Sequence, residues 1–213
     1  MDSATITYVF VVIGVILISM TLHEAMHGYM AYFLGDDTAK LQGRLTLNPL
    51  KHIDPFLTLI LPILLAVSGL PVFGGAKPVP FNPNRVKYDE WGAALVAIAG
   101  PLTNFVLAFL FFTLLVIFHV SQGTFIGLVL QTGVLVNLGF FVFNMIPIPP
   151  LDGSRVLYAL APEFVRRAME WIEQYGILLV FFLILFTGSL IGSYMSSAIY
   201  FFVGIFSHIF GIS

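Results

Sequence analysis

The chain contains no cysteine, so disulfide bonds and thiolate metal ligands are both excluded. Any metal must be held by histidine and carboxylate. Charge is nearly as scarce: 9% of the 213 residues are Asp, Glu, Lys or Arg, against 59% that are hydrophobic. No water-soluble domain of this size can coat so much apolar surface with so few polar groups. The composition is that of an integral membrane protein with the lipid bilayer as its surroundings. A net charge of −2 and the lack of any basic block point away from nucleic acid as a partner. The N-terminus lacks the basic run and small-residue cleavage site of a signal peptide, so the first apolar run is expected to stay as a span. Linkers, repeats and low-complexity tails are missing too. One membrane domain is expected to fill residues 1–213, with a core over about 5–161 and a C-terminal helix pair over about 168–209. No feature assigns an oligomeric state.

What the chain does have is His23-Glu24-Ala25-Met26-His27, near the end of a long apolar helix. Histidines four apart project from one helix face about one turn apart, so both imidazoles can reach one metal ion. A glutamate beside the first of them has the position of a general base acting on water that a metal activates. The run from Tyr8 to Met20 is almost wholly apolar, which places all three ionisable groups inside the membrane. Each costs roughly 2 to 4 kcal/mol at that depth, and such a cost marks a functional pocket.

The fold class expected is an all-α polytopic membrane protein of five to six transmembrane helices with a membrane-dipping extended loop. The first span, Thr5 to Leu34, is about 45 Å long as helix, with His23 and His27 about 10 to 17 Å from its Leu34 end. Gly35 stops it, and a loop from Asp36 to His52 follows. A second apolar stretch, Asp54 to Leu70, is short for a span and contains Pro62. Pro78 and Pro80 make Gly74 to Pro83 extended, which a membrane tolerates only against protein or water. A helix over about Asp89 to Val120 contains Gly100-Pro101-Leu102-Thr103-Asn104. A turn at Ser121-Gln122-Gly123 leads to a span from Thr124 to Met145, then Pro147-Ile148-Pro149-Pro150-Leu151-Asp152-Gly153 and a short helix over Ser154 to Ala161. The last pair of spans is expected over Ala168–Thr187 and Leu190–Ile209, split by a tight Gly-Ser turn. All nine basic residues fall in three places: the loop after the first span (40–51), 77–87 and 155–167. The bias of Lys and Arg toward the cytoplasm therefore favours five spans with Pro55–Leu70 re-entrant, N-terminus outside and C-terminus inside. A crossing by Pro55–Leu70 would give six.

A catalytic zinc takes three protein ligands and keeps one open position. The third ligand must come from Asp36, Asp37, His52, Asp54, His119, Asp152 or His208. Asp36 and Asp37 lie beyond a span end, and His119 and His208 sit on segments remote from the histidine pair. Asp152 lies at the right face, in a Pro-rich turn that can return it to histidine depth; its competing role is N-cap of the following helix. His52 and Asp54 remain as ligands or as partners of ligands.

His23-Glu24-Ala25-Met26-His27, the Gly100–Asn104 run and Asn144 through Gly153 together resemble the site-2 proteases, zinc intramembrane metalloproteases, from about Met20 to Arg155 and in the family's order. The chain is similar to a minimal member without PDZ or CBS domains. The resemblance implies Zn²⁺ on His23, His27 and Asp152, with Glu24 as general base and then acid. It implies that Asn104 and Asn144 hold substrate backbone or an oxyanion, against a competing role in interhelical hydrogen bonding. Gly74–Asn82 resembles a loop that presents substrate. Transmembrane proteins are the implied substrates, cut in regulated intramembrane proteolysis, in a bacterial or archaeal cell membrane with the site toward the cytoplasm. Two rivals stand beside this reading. A metal transporter would show ionisable residues on several helices and inverted repeats. An inactive scaffold would not need Glu24.

Overall fold

The computed structural model describes residues 2–69, 74–121 and 123–212. Leu70, the expected end of the second apolar stretch, and Gln122 of the expected turn lie outside the described residues. Helix α1, Ser3–Phe33, begins where the Asp2 carboxylate accepts the Thr5 N–H, 2.9 Å away. It ends at Gly35, whose φ of +110° lets the Asp36 N–H turn back to the Ala31 carbonyl at 2.9 Å. A single-turn α2, Thr38–Leu41, follows.

The second apolar stretch opens as a wide π-helical turn over Pro55–Ile60 and continues as α3, Leu61–Val67. The Asp54 carboxylate caps it, accepting the N–H groups of Phe56 and Leu57 at 2.9 Å each. Its six and seven residues fall short of the roughly 20 that a crossing needs. From Gly74 the chain runs back alongside it. The Gly75 N–H donates to the Leu57 carbonyl at 3.1 Å and the Lys77 N–H to the His52 carbonyl at 2.9 Å. The segment therefore enters and leaves at one end of the bundle.

Helix α4, Asp89–Ile117, carries Asp89 and Glu90 in its first turn, where the helix dipole favours acid, and passes through Pro101 as one helix. Helix α5, Phe125–Asn144, starts on Thr124, whose hydroxyl accepts the Gly127 N–H at 3.0 Å. The shorter α6, Asp152–Leu160, and α7, Glu163–Glu173, lead into α8, Gly176–Ile209. Helices α1, α4 and α5 form the centre of the bundle. Small buried residues on α4, among them Ala93, Ala97, Gly100 and Ala108, let its neighbours approach closely, which is how helices associate where lipid removes any hydrophobic drive. At the far end α8 joins them. Phe206 is buried with Ala108, Val134 and Leu138, and its ring lies 5.1 Å from Phe109 and 5.5 Å from Phe105.

Among the described residues, four helices are long and apolar enough to cross a membrane: α1, α4, α5 and residues Leu178–Ile209 of α8. The expected C-terminal pair is present as two helical segments of α8 that meet at a kink rather than across a Gly-Ser turn. Only Thr187 leaves helical geometry (φ −122°, ψ 16°), where its hydroxyl donates to the Leu183 carbonyl at 2.6 Å. Thr187 is the kink, and Gly188 and Ser189, where the turn was expected, are helical. The start of the expected fourth span belongs to α7, which is amphipathic. Among the described residues the candidate spans number four rather than five, and the C-terminal end of α8 lies at the other end of the bundle. His119 and Val120 line one cavity with Phe210 and Ile212, and the α1 residues Ile6 and Phe10 line another with Phe125. Both chain ends thus lie at the end of the bundle that has no Lys or Arg.

Candidate metal centre

His23 and His27 lie one turn apart on α1, with ring centroids 4.6 Å apart and planes nearly perpendicular. The His23 Nδ1–H donates to the Asn104 Oδ1 at 2.6 Å and the His27 Nδ1–H to the Val96 carbonyl at 2.8 Å. A carbonyl oxygen can only accept, so each Nδ1 carries a proton, and in the neutral imidazole this leaves the Nε2 lone pair free for a metal. These two nitrogens are 3.0 Å apart, and Asp152 Oδ2 lies 3.2 Å from the first and 3.5 Å from the second. Three electron-rich atoms thus converge in a largely buried place. Ligands at about 2.0 to 2.1 Å on a tetrahedron are about 3.3 Å from one another, so the triangle has the size a zinc ion needs. His23, His27 and Asp152 form the one such cluster among the described residues.

Local chemistry explains how Asp152 arrives. After α5 the chain turns tightly, with the Ile148 N–H on the Ile146 carbonyl at 2.8 Å and the Leu151 N–H on the Ile148 carbonyl at 3.0 Å. A Cβ on Gly153 would stand 2.4 Å from the Met145 carbonyl oxygen, so only glycine lets α6 begin there. Asp152 is the first residue of α6 rather than its cap; Leu151 has the cap position, and the short helix begins two residues earlier than the sequence suggested. The carboxylate is free to face the histidines.

Glu24 Oε2 accepts the Val79 N–H at 2.9 Å, which ties the extended segment to the first helix and leaves Oε1 for other work. That segment is fastened on both sides. The buried Arg44 donates from Nη2 to the carbonyls of Lys77 at 2.9 Å and Pro78 at 3.3 Å, and the Asn82 N–H donates to Asp36 Oδ2 at 2.6 Å. Burial pushes the Asp36 carboxyl up, but hydrogen bonds from Thr38 and from the Asn82 N–H outweigh it and hold it below the usual carboxylate range. A cavity of about 220 Å³ opens beside the triangle between His23, Glu24, Gly75, Ala76, Asn144 and Val180.

The asparagines divide. Asn144 lines the cavity, with its amide N–H on the Phe140 carbonyl at 3.0 Å. Asn104 is completely buried and spends its amide on Asn137 Oδ1 at 2.9 Å, behind His23. No surface of Asn104 is left for a substrate to touch, so the expected contact gives way to a position that orients His23. The alternative ligands are engaged elsewhere. The His52 Nε2–H donates to the Thr46 carbonyl at 2.8 Å, Asp54 caps the π-helical turn, and Asp37 pairs with Arg85 at 2.6 Å. His119 lies at the opposite end of the bundle, as does His208, the last basic group of α8.

Sequence reasoning passed over Ser19 and Asn137. Both are buried, and the Asn137 amide N–H reaches the Ser19 hydroxyl at 2.9 Å, closing a polar network behind His23. The signal was available, since a lone asparagine within the apolar run of α5 carries the same cost that singled out Asn104. The Val96 carbonyl leaves no trace in a sequence. Replacing Asn104 by alanine is expected to lower metal affinity about 10- to 100-fold, because His23 loses the acceptor that fixes its tautomer. Competition with a calibrated zinc chelator measures this.

Comparisons with known proteins agree with the geometry. The model of peptidase family M50 matches residues 11–128 and 119–188. The chain is 45% identical over 188 residues to a Bacillus subtilis protein named "Putative zinc metalloprotease YwhC", covering 84% of this chain and 81% of that one. It is 36% identical over 186 residues to "Putative zinc metalloprotease Rip2" of Mycolicibacterium smegmatis, covering 84% and 70%, and 32% identical over 193 residues to the protein of the same name from Mycobacterium tuberculosis H37Rv, covering 86% and 69%. No solved structure matches.

Proposed function

The chain belongs to peptidase family M50, and we propose that it is a zinc-dependent endopeptidase that hydrolyses peptide bonds in or beside the membrane spans of other proteins. The observation that carries this reading is the triangle of His23 Nε2, His27 Nε2 and Asp152 Oδ2, at 3.0, 3.2 and 3.5 Å, with Glu24 on the adjoining cavity. His23, His27 and Asp152 would hold the zinc. A bound zinc ion supplies Lewis acidity, polarising the scissile carbonyl and lowering the pKa of water at its open position. Glu24 takes the proton of the attacking water on the oxygen that Val79 leaves free, then passes it to the departing amine. Asn144, which lines the cavity, would hold the substrate backbone.

A substrate helix keeps its carbonyls in its own hydrogen bonds, so it must unwind before it can be cut. The fastened segment Ala76–Phe81 offers extended backbone beside which an unwound stretch can lie. Entry between α8 and the cavity fits the packing. Val180 lines the site, whereas Leu178, Phe182, Phe186 and Leu190 of α8 are exposed. The nine basic residues all sit at the site's end of the bundle, which supports a cytoplasmic site and a role in regulated intramembrane proteolysis.

The test is purification in detergent with and without chelator, zinc determination, and cleavage of a transmembrane reporter. The chelated protein is expected to lose cleavage and to regain it with zinc. His23→Ala is expected to lose both zinc and cleavage. A His23→Ala protein that still cuts would end this reading.

A further inference from the structure

Helix α7 has two faces of opposite chemistry. Phe164, Ala168, Trp171 and Tyr175 follow at spacings of four, three and four residues and so form one stripe that continues into the turn after the helix. The stripe is bare: Phe164 is 74% exposed, Trp171 60% and Tyr175 48%. Trp171 and Tyr175 stand edge to face, 5.1 Å apart. The other face is fixed to the protein. Arg166 Nε donates to the carbonyls of Tyr158 and Ala161 at 3.0 and 2.9 Å, and its Nη2 donates to that of Ala159 at 3.2 Å. The Tyr158 hydroxyl donates to Glu170 at 2.6 Å, and Arg155 pairs with Glu173. These ties fix how α7 is turned about its axis, and they turn the aromatic stripe outward.

Covalent connection sets its depth. Two residues, Gln174 and Tyr175, separate α7 from α8, and Gly176 has a φ of +47° that lets the chain change direction. The candidate span begins at Leu178, so Trp171 and Tyr175 lie within a turn or two of where hydrocarbon begins. Trp and Tyr suit that boundary, having an apolar ring and one polar atom. Tyr88 and Trp91, at the start of α4 and at the same end of the bundle, are exposed as well.

We infer that α7 is an interfacial helix whose Phe164, Trp171 and Tyr175 insert between the lipid headgroups and the upper acyl chains. This goes beyond the proteolytic reading and does not depend on it. The charges of α7 narrow the kind of lipid. Arg167 pairs with Glu163 at 3.1 Å and Arg166 with Glu90 at 3.6 Å, so each cation of the helix already has its acid. Attachment is then apolar and does not require acidic headgroups.

The chain has two tryptophans, so Trp91→Phe leaves Trp171 as the sole tryptophan emitter. The full-length variant is reconstituted in phosphatidylcholine vesicles, with or without lipid brominated on the upper acyl chain, and with iodide on both sides of the bilayer. Brominated lipid is expected to remove about half of the emission or more, iodide to remove little, and replacement of a third of the lipid by phosphatidylglycerol to change neither result. Free quenching by iodide with no effect of bromine would overturn the inference. So would bromine quenching that vanishes as protein is concentrated in the bilayer, because a second copy would then be covering the stripe. If Trp91→Phe fails to fold, the difference between the unmodified protein and Trp171→Phe gives the same signal.

Discussion

Glu24→Gln is expected to keep its zinc and lose its cleavage. The amide is the same size as the carboxylate and its oxygen can still accept the Val79 N–H, now 2.9 Å from Oε2, so the extended segment stays in place. None of the three ligand atoms is disturbed. What is lost is a group able to take a proton from water and return it to the leaving amine, and such a group contributes about 10²- to 10⁴-fold in rate. The variant should therefore match the unmodified protein in zinc content and thermal midpoint, while cleavage of a transmembrane reporter falls by about two orders of magnitude or more. A variant that still cuts at a normal rate would take proton transfer away from Glu24. One that loses zinc would make Glu24 part of the frame rather than the chemistry.

The second large effect comes from a residue with no functional group. A Cβ on Gly100 would lie 2.4 Å from His27 Nε2, 2.5 Å from His27 Cε1 and 2.8 Å from His23 Cε1. Helix propensity alone favours alanine over glycine by about 1 kcal/mol, so Gly100→Ala would be mildly stabilising if α4 stood by itself. Sterics reverse the sign. Both rings are held through Nδ1, at 2.6 and 2.8 Å, and neither can swing aside without giving up its hydrogen bond. We expect zinc affinity to fall about 100-fold or more, with cleavage falling alongside it, while the helical content by circular dichroism is unchanged. Gly139→Ala on α5 is the control, because its Cβ would meet nothing within 4 Å. That variant should bind zinc and cut normally.

Gly100 also shows where sequence reading stops. Its place in the Gly100–Asn104 run was legible, but its purpose is set by two side chains of another helix, His23 and His27. The same holds for Asn104, which is recognisable as a costly polar group in a span and ambiguous in its target until α1, α4 and α5 are packed. Asn137 and Ser19 carried the same signal and passed unnoticed, since each alone reads as a helix-packing residue. The C-terminal pair misled for a different reason. Gly188 and Ser189 are turn formers in water, but in apolar surroundings an unmade backbone hydrogen bond is so costly that both stay helical and the two segments meet at a kink at Thr187.

The amino-acid order alone determined that this protein lives in a membrane and that a histidine pair and a glutamate share one stretch of its first span. It also determined that every Lys and Arg gathers in three stretches, while the turn near Ser121 and both termini have none. These properties follow from composition and from helical periodicity, which act over a turn or a span and need no partner. Only the tertiary structure decided which carboxylate completes the triangle and which groups hold the imidazoles with their Nε2 atoms bare. It also decided that, among the described residues, four helices rather than five are long and apolar enough to cross. Each of those outcomes rests on segments far apart in the chain being brought together, and the distances between their atoms are set by packing. Asp152 is remote from His27 in sequence and reaches it at 3.5 Å because Gly153 lets α6 start against the Met145 carbonyl.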